Sequence, residues 1–178
     1  KKKEIKNYKN FSRPLFSSDY LKKIYEFAPS EVLLMGSDYH PRSSVDNTGK
    51  VILELQFPTF NLINELIKKN ILKKVIFVSS YNALKKIKSE NLLSLDKPIN
   101  PYGYEKLTSE LILRNLCFEN DISFYSIRPT NVVNPQSNRK DLGVISKFAS
   151  LVIKNQIPEF IDDFKKYKDY IHVKDVAE

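Results

Sequence analysis

Apolar positions in this chain fall into short runs whose period alternates between that of a strand and that of a helix. "SSDYLKKIYEF" has helical spacing, with Ser18 or Asp19 as its N-cap, and "EVLLMGSD" follows as a compact apolar strand ending at Gly36. "YHPRSSVDNTG" reads as a loop. Helical spacing runs through "KVILELQF", meets Pro58 and resumes in "TFNLINELIKKN", which predicts a kink or break near Phe57. "KKVIFVSS" is a buried strand, Val75 to Val78 being continuous, with two hydroxyls at its carboxyl end. Asn100 as N-cap and Pro101 at the first helical position start a helix to about Leu116. A strand in "DISFYSIRP", a helix in "LGVISKFASLVIKNQ", a short apolar piece "IPEFI" and a strand-like "DYIHV" complete the order. Such alternation predicts an α/β fold with a doubly wound parallel sheet, helices covering both faces.

Composition narrows the class. A chain of 178 residues, 42% hydrophobic and 28% charged, can bury a core as one domain. The net charge of +8 is carried by dispersed lysines, and the aromatics alternate with aliphatics without interleaving with Arg, so a solvated surface is favoured over a nucleic-acid platform. One cysteine, Cys117, excludes an internal disulfide and points to a reducing compartment. No apolar stretch approaches the ~18 residues of a membrane span, and no h-region follows the basic start, so a cytoplasmic protein is expected. His40 and His172 stand far apart with no partner at helical distance, so no metal site is expected.

Tyr-x-x-x-Lys occurs three times, at Tyr81–Lys85, Tyr102–Lys106 and Tyr170–Lys174. Spacing alone does not separate them; the expected secondary structure does. Tyr81–Lys85 falls in a loop after a strand. Tyr170–Lys174 falls in a strand-like segment, where residues four apart are separated by about 13 Å. Only Tyr102 and Lys106 share a helix, with about 6 Å of rise between them. Ligands of open parallel sheets bind beyond the carboxyl ends of the strands. There Ser79 and Ser80 end one strand, Pro129, Thr130 and Asn131 end the next, and Tyr102 starts the helix between them.

Those residues resemble the extended short-chain dehydrogenase/reductases, the NAD-dependent epimerases and dehydratases of nucleotide sugars. "KKVIFVSS" looks like that family's strand bearing the active-site Ser or Thr, and "NPYGYEKLTSE" resembles its Pro-Tyr-Gly-x-Ser-Lys-x-x-x-Glu helix. "SIRPTNVVNP" is similar to its Arg-Pro-x-Asn-x-Tyr-Gly-Pro turn, and "KDYIHVKDVA" to its Arg-Asp-Phe-Ile-His-Val-x-Asp-Val-Ala segment. The resemblance spans roughly Glu31 to Glu178 and implies a Rossmann-like, NAD(P)-binding fold. It also implies NAD or NADP as cofactor and a nucleotide-sugar substrate, with neither nucleic acid nor membrane as partner and a homodimer left open. Within it, Tyr102, Lys106 and Ser80 are the catalytic residues, Ser79 standing as the alternative hydroxyl. Tyr102, Lys106, Ser79, Pro129 and Thr130 would touch the cofactor; Asn131 and Lys168 would touch the substrate. His172 is expected to pack on its strand, and Asp175 to cap the last helix.

Departures qualify the likeness. The four glycines, Gly36, Gly49, Gly103 and Gly143, are nowhere clustered, so the family's glycine-rich pyrophosphate turn is not found. The chain therefore reads as the middle of a longer protein: residues 1–178 form a partial Rossmann-like domain, 130–178 include the start of a substrate-binding lobe, and this piece alone is expected to be inactive and to bind NAD poorly. Glu105 stands where a Ser is usual, Lys168 where an Arg is, and Val133 with Asn134 replace Tyr-Gly. "SSYNALKK" lacks Val-Tyr-Gly, and Leu55 or Gln56 takes an expected Asn position. Tyr81 and Asn82 occupy the places of a 4,6-dehydratase's Asp-Glu pair, which favours a 4-epimerase or simple oxidoreductase. Two other classes stay open: a non-catalytic dinucleotide-fold protein without its cofactor turn, and a basic RNA-binding domain with steeply salt-dependent affinity.

Overall fold

A computed structural model describes residues 18–35, 48–84, 100–134, 144–157 and 167–178. Helix α1 (Ser18–Phe27) leads to strand β1 (Glu31–Leu34). A helical segment then runs as α2 (Thr48–Val51), a π turn (Ile52–Gln56) and α3 (Phe57–Lys68). Strand β2 (Lys74–Val78), a 3-10 turn (Tyr81–Ala83) and the long helix α4 (Pro101–Phe118) follow. After them come β3 (Ser123–Ile127), β4 (Asn131–Val133), α5 (Val144–Ile153), β5 (Tyr170–His172) and α6 (Val173–Ala177). Gly36, His40, Lys85, Gly143 and most of "IPEFI" lie outside the described residues.

Strands β1, β2 and β3 form a parallel sheet in that order, with Val32, Val75 and Phe124 side by side in register. β4 and β5 pair in parallel as a second, two-stranded sheet. Parallel strands alternating with helices are the Rossmann-like class expected from the sequence.

Burial along β2 alternates instead of running continuously: Val75 and Phe77 are buried, whereas Ile76 and Val78 are half-buried. The cause is one-sided cover. Val75 and Phe77 join Leu62, Ile63 and Leu66 of α3 and Leu113 and Cys117 of α4 in one cluster, which Ile24 and Tyr25 of α1 also touch. On the opposite face Leu33 is 54% and Tyr125 57% exposed, so the described helices cover one face of the sheet. Completely buried Ile63, Leu66, Val75 and Leu113 each contribute about 1.5–3 kcal/mol to folding. Burial also pushes the Cys117 thiol up to about 11, which leaves it a packing residue.

The break expected at Phe57 takes the form of the π turn immediately before it. Pro58 has no N–H to donate and its ring crowds the carbonyl four residues back, a conflict a wider turn relieves. Three details depart from expectation. α1 begins at Ser18, so Ser18 and Asp19 occupy its first turn, and Thr48 and Gly49, read as loop, are already helical. α6 is capped by His172, whose Nδ1 accepts the Lys174 N–H at 3.2 Å, while Asp175 sits in the first turn. An imidazole nitrogen reaches that amide from the end of β5, and Asp175 complements the helix dipole instead.

Candidate active site

Helix α4 begins as its sequence dictates. Asn100 Oδ1 accepts the Gly103 N–H at 2.8 Å and Pro101 occupies the first turn, where no N–H is required. This cap fixes Tyr102 at the mouth of the helix, opposite the carboxyl end of β2. There Ser79 N–H donates to the Ile127 carbonyl at 2.8 Å and Tyr81 N–H to the Pro129 carbonyl at 3.1 Å, so the ends of β2 and β3 are tied together.

Tyr102 is half-buried, and the Ser80 hydroxyl lies near enough to act on its phenol. The Ser80 oxygen already accepts the Asn82 N–H at 3.2 Å and the Asn82 side-chain amide at 3.3 Å. Its own proton is therefore the one available to the Tyr102 oxygen. Burial pushes the Tyr102 phenol above its ordinary value of 10.0, the Ser80 hydroxyl pulls it partly back, and the Glu105 carboxylate adds to the rise.

Lys106 lies one turn further along α4, only 2% exposed. Its Nζ is 5.7 Å from the Tyr102 ring centre and 5.1 Å from that of Phe77. Burial pulls the Lys106 amine below its ordinary range, and the Glu105 carboxylate, 3.7 Å away, opposes that. Glu105 is itself 6% exposed. Burial pushes its carboxyl up, against Lys106 and against Ser109, whose hydroxyl donates to Oε1 at 3.1 Å.

Gln56, the last residue of the π turn, ties this cluster to the neighbouring helix. Its amide donates to the Glu105 carbonyl at 3.2 Å and to Ser109 Oγ at 3.3 Å. One turn beyond, Arg128 makes a two-pronged ion pair with Glu110, Nε to Oε2 at 3.0 Å and Nη2 to Oε1 at 2.5 Å. Burial works against ionised Glu110, but Arg128, assisted by the facing hydroxyls of Ser79 and Ser126, holds its carboxyl below the usual 4.5. Neither hydroxyl has a hydrogen-bond partner of good geometry, so their influence is that of nearby dipoles.

Tyr102, Lys106, Ser80, Ser79 and Pro129 thus gather where α4 meets the ends of β2 and β3. Thr130 follows Pro129 and is half-buried. Asn131 is engaged elsewhere: its side-chain amide donates to the Asp169 carbonyl at 2.9 Å, joining β4 to the residue before β5. Lys168 is exposed on the approach to β5. Of the competing pairs, Tyr170 and Lys174 stand on different elements, β5 and α6. Glu105 had been noted only as a departure and Gln56 only as one of two residues at an expected Asn position, while Ser109 had no assigned place in the site. The four-residue spacing of Glu105 and Ser109 was the visible signal. Among the described residues no group of three or more His, Cys, Asp or Glu side chains could hold a metal, and no helix is long and apolar enough to cross a membrane.

The profile of the NAD-dependent epimerase/dehydratase family matches residues 7–178, and the chain belongs to that family. Among its relatives is a candidate UDP-glucose 4-epimerase from Methanocaldococcus jannaschii, 30% identical over 125 residues, covering 67% of this chain and 40% of that protein. The UDP-glucose 4-epimerase of Thermotoga maritima, solved with UDP-glucose, superposes with a TM-score of 0.81 at 21% identity, over 94% of this chain and 56% of the other. The Thermus thermophilus UDP-glucose 4-epimerase, solved with NAD, superposes with a TM-score of 0.73 at 21% identity, over 93% and 56%. The chain spans about half the length of these solved structures.

The family's dinucleotide can be tested against the residues present. Its nicotinamide-ribose end requires a cation and hydroxyls beside the strand ends, and Lys106, Tyr102 and the buried, unpartnered Ser79 Oγ are of that kind. Its pyrophosphate requires a turn of free backbone N–H groups. Among the described residues the glycines, Gly49 and Gly103, are both helical, and the Gly103 N–H is taken by Asn100. These residues fit the nicotinamide end alone.

Proposed function

We propose that this chain carries the proton-transfer centre of an NAD-dependent nucleotide-sugar 4-epimerase, with Tyr102 as acid/base, Ser80 as hydroxyl donor and Lys106 as the cation behind them. The observation that carries the reading is the nearness of the Ser80 hydroxyl to the Tyr102 phenol at the carboxyl end of β2, with the buried Lys106 amine 5.7 Å from the Tyr102 ring centre. Bound nicotinamide supplies the hydride acceptor and a positive charge.

Tyr102 takes the proton from a sugar hydroxyl as the carbinol carbon is oxidised, and returns it on reduction from the other face. Ser80 shares its proton with the same sugar oxygen and holds it towards Tyr102. Lys106 favours the phenolate through space and is the candidate partner for the ribose hydroxyls. A tyrosine brought from about 10 to about 7 requires ~4 kcal/mol of differential stabilisation. Burial and Glu105 work against that, so Tyr102 rests protonated and is activated when positive charge is brought to it. Pro129 and Thr130 are assigned to the cofactor side, and Asn131 and Lys168 to the substrate side. Of these four, Asn131 has its amide committed to Asp169.

The names of the relatives support a uridine-diphosphate sugar as substrate and C4 as the inverted carbon. The test is to incubate the full-length protein with NAD and UDP-glucose and separate the sugars. UDP-galactose formation, lost without NAD, is expected; UDP-glucose recovered unchanged, with no ketosugar formed, counts against the reading.

A further inference from the structure

Glu105 is a carboxylate where the fold least accommodates one. It is 6% exposed, Oε1 is satisfied by Ser109, and Oε2 has no hydrogen-bond donor and lies 3.7 Å from Lys106 Nζ, an ion-pair contact longer than a hydrogen bond. An arrangement with one oxygen anchored and the other aimed at an amine holds charge at a fixed point. Gln56 holds the same helical turn from the other side by donating to the Glu105 carbonyl and the Ser109 hydroxyl.

We propose that Glu105 is a positioning residue for the Tyr102–Lys106 pair: an internal counterion that fixes the Lys106 amine and sets the proton affinity of both groups. The proposal rests on the reading of Tyr102 and Lys106 given above. A buried ammonium is stabilised by an adjacent carboxylate, and a buried phenolate is opposed by it. Glu105 therefore keeps Lys106 charged inside the protein and keeps Tyr102 a phenol until other positive charge arrives. Both effects raise a pKa, the sign already visible in the contribution of Glu105 to each group.

Several groups of the described residues act on this cluster. On α4, Glu105 faces Lys106 and Tyr102, and Glu110 one turn on is neutralised by Arg128 from the end of β3. Gln56 brings an uncharged amide, Phe77 of β2 an apolar ring and Ser80 a hydroxyl. Lys50 of α2, Tyr81 of the 3-10 turn and Tyr125 of β3 are exposed, where water screens them.

Glu105→Gln removes the charge and nearly preserves the shape. Without the Glu105 charge, Lys106 and Tyr102 both release their protons at lower pH. The experiment is an NMR titration of the lysine side-chain Cε signals, with Lys106 assigned by Lys106→Met, alongside the tyrosine ring-carbon signals, with Tyr102 assigned by Tyr102→Phe. The Lys106 midpoint is expected to fall by about one pH unit or more in Glu105→Gln, with Tyr102 moving the same way, and to return towards wild type in Glu105→Asp. Glu105→Ser, smaller and also neutral, repeats the test should the amide not be accommodated. Midpoints unchanged in the neutral variants, or an Asp variant that behaves like Gln, overturn the proposal. Because the titration reads the residues directly, its failure is distinct from a failure to epimerise a sugar.

Discussion

Arg128→Ala separates electrostatic support of the site from simple packing. Arg128 binds the two oxygens of Glu110, whose side chain is 11% exposed against 34% for the guanidinium, so the carboxylate is the member the variant strands. Hydrogen bonds to charged groups contribute about 1.5–3 kcal/mol each when buried; with Arg128 partly in water, a loss of about 2 kcal/mol for the pair is expected. At a urea m-value of about 2 kcal/mol/M this moves the unfolding midpoint down by about 1 M at neutral pH. The sign with pH follows from Glu110. Its folded-state value lies below the 4.5 of the free carboxyl, so the pair's contribution is present above 4.5 and is lost as pH falls through the folded value. Without Arg128, burial dominates and Glu110 takes up its proton more readily. The difference between wild type and variant should then be widest at pH 7 and narrow on acidification. Urea melts at neutral and strongly acidic pH measure it. An Arg128→Ala cost that is the same at both pH values, or absent at pH 7, refutes the electrostatic account of this pair.

Two further perturbations address the backbone. Asn100→Ala removes the acceptor for the Gly103 N–H and should cost about 1 kcal/mol, seen as a lower thermal midpoint together with broadened Tyr102 signals. Ala28, just beyond α1, holds a left-handed φ of 50° and bonds back to Ile24, so Ala28→Gly should stabilise the protein by up to about 1 kcal/mol; a lower midpoint in that variant contradicts the strain.

What was legible in the sequence was local. Asn100 and Pro101 declare the start of α4 because a cap and a residue without an N–H suit the same few positions. Once that helix is placed after a strand ending in two serines, Tyr102 and Ser80 must approach each other. The same reasoning puts Tyr102 and Lys106 on one helix, α4, and separates them from Tyr170 and Lys174, whose members the structure divides between β5 and α6. Contacts between distant residues were not legible. Gln56 meets Ser109 across 53 positions, and Asn131 meets Asp169 across 38, pairings that no local period encodes. Glu105 was visible as an unusual residue, but helical spacing does not reveal that its carboxylate turns inward beside Lys106. Pro58 announced a break without specifying a π turn as its form. The capping of α6 by His172 depended on β5 delivering an imidazole to a free N–H, a role expected of Asp175.

The central claim is that Tyr102 takes the sugar's proton as its carbinol carbon is oxidised. It is tested most directly by rapidly mixing the NAD-loaded full-length protein with UDP-glucose in a single turnover and following the near-ultraviolet absorbance of reduced nicotinamide. Tyr102→Phe keeps the ring and loses the proton acceptor, so reduction should slow by ~10²–10⁴, whereas Tyr81→Phe, on the exposed 3-10 turn, should remain within a few-fold of wild type. Undiminished reduction in Tyr102→Phe, or a collapse in Tyr81→Phe instead, contradicts the account.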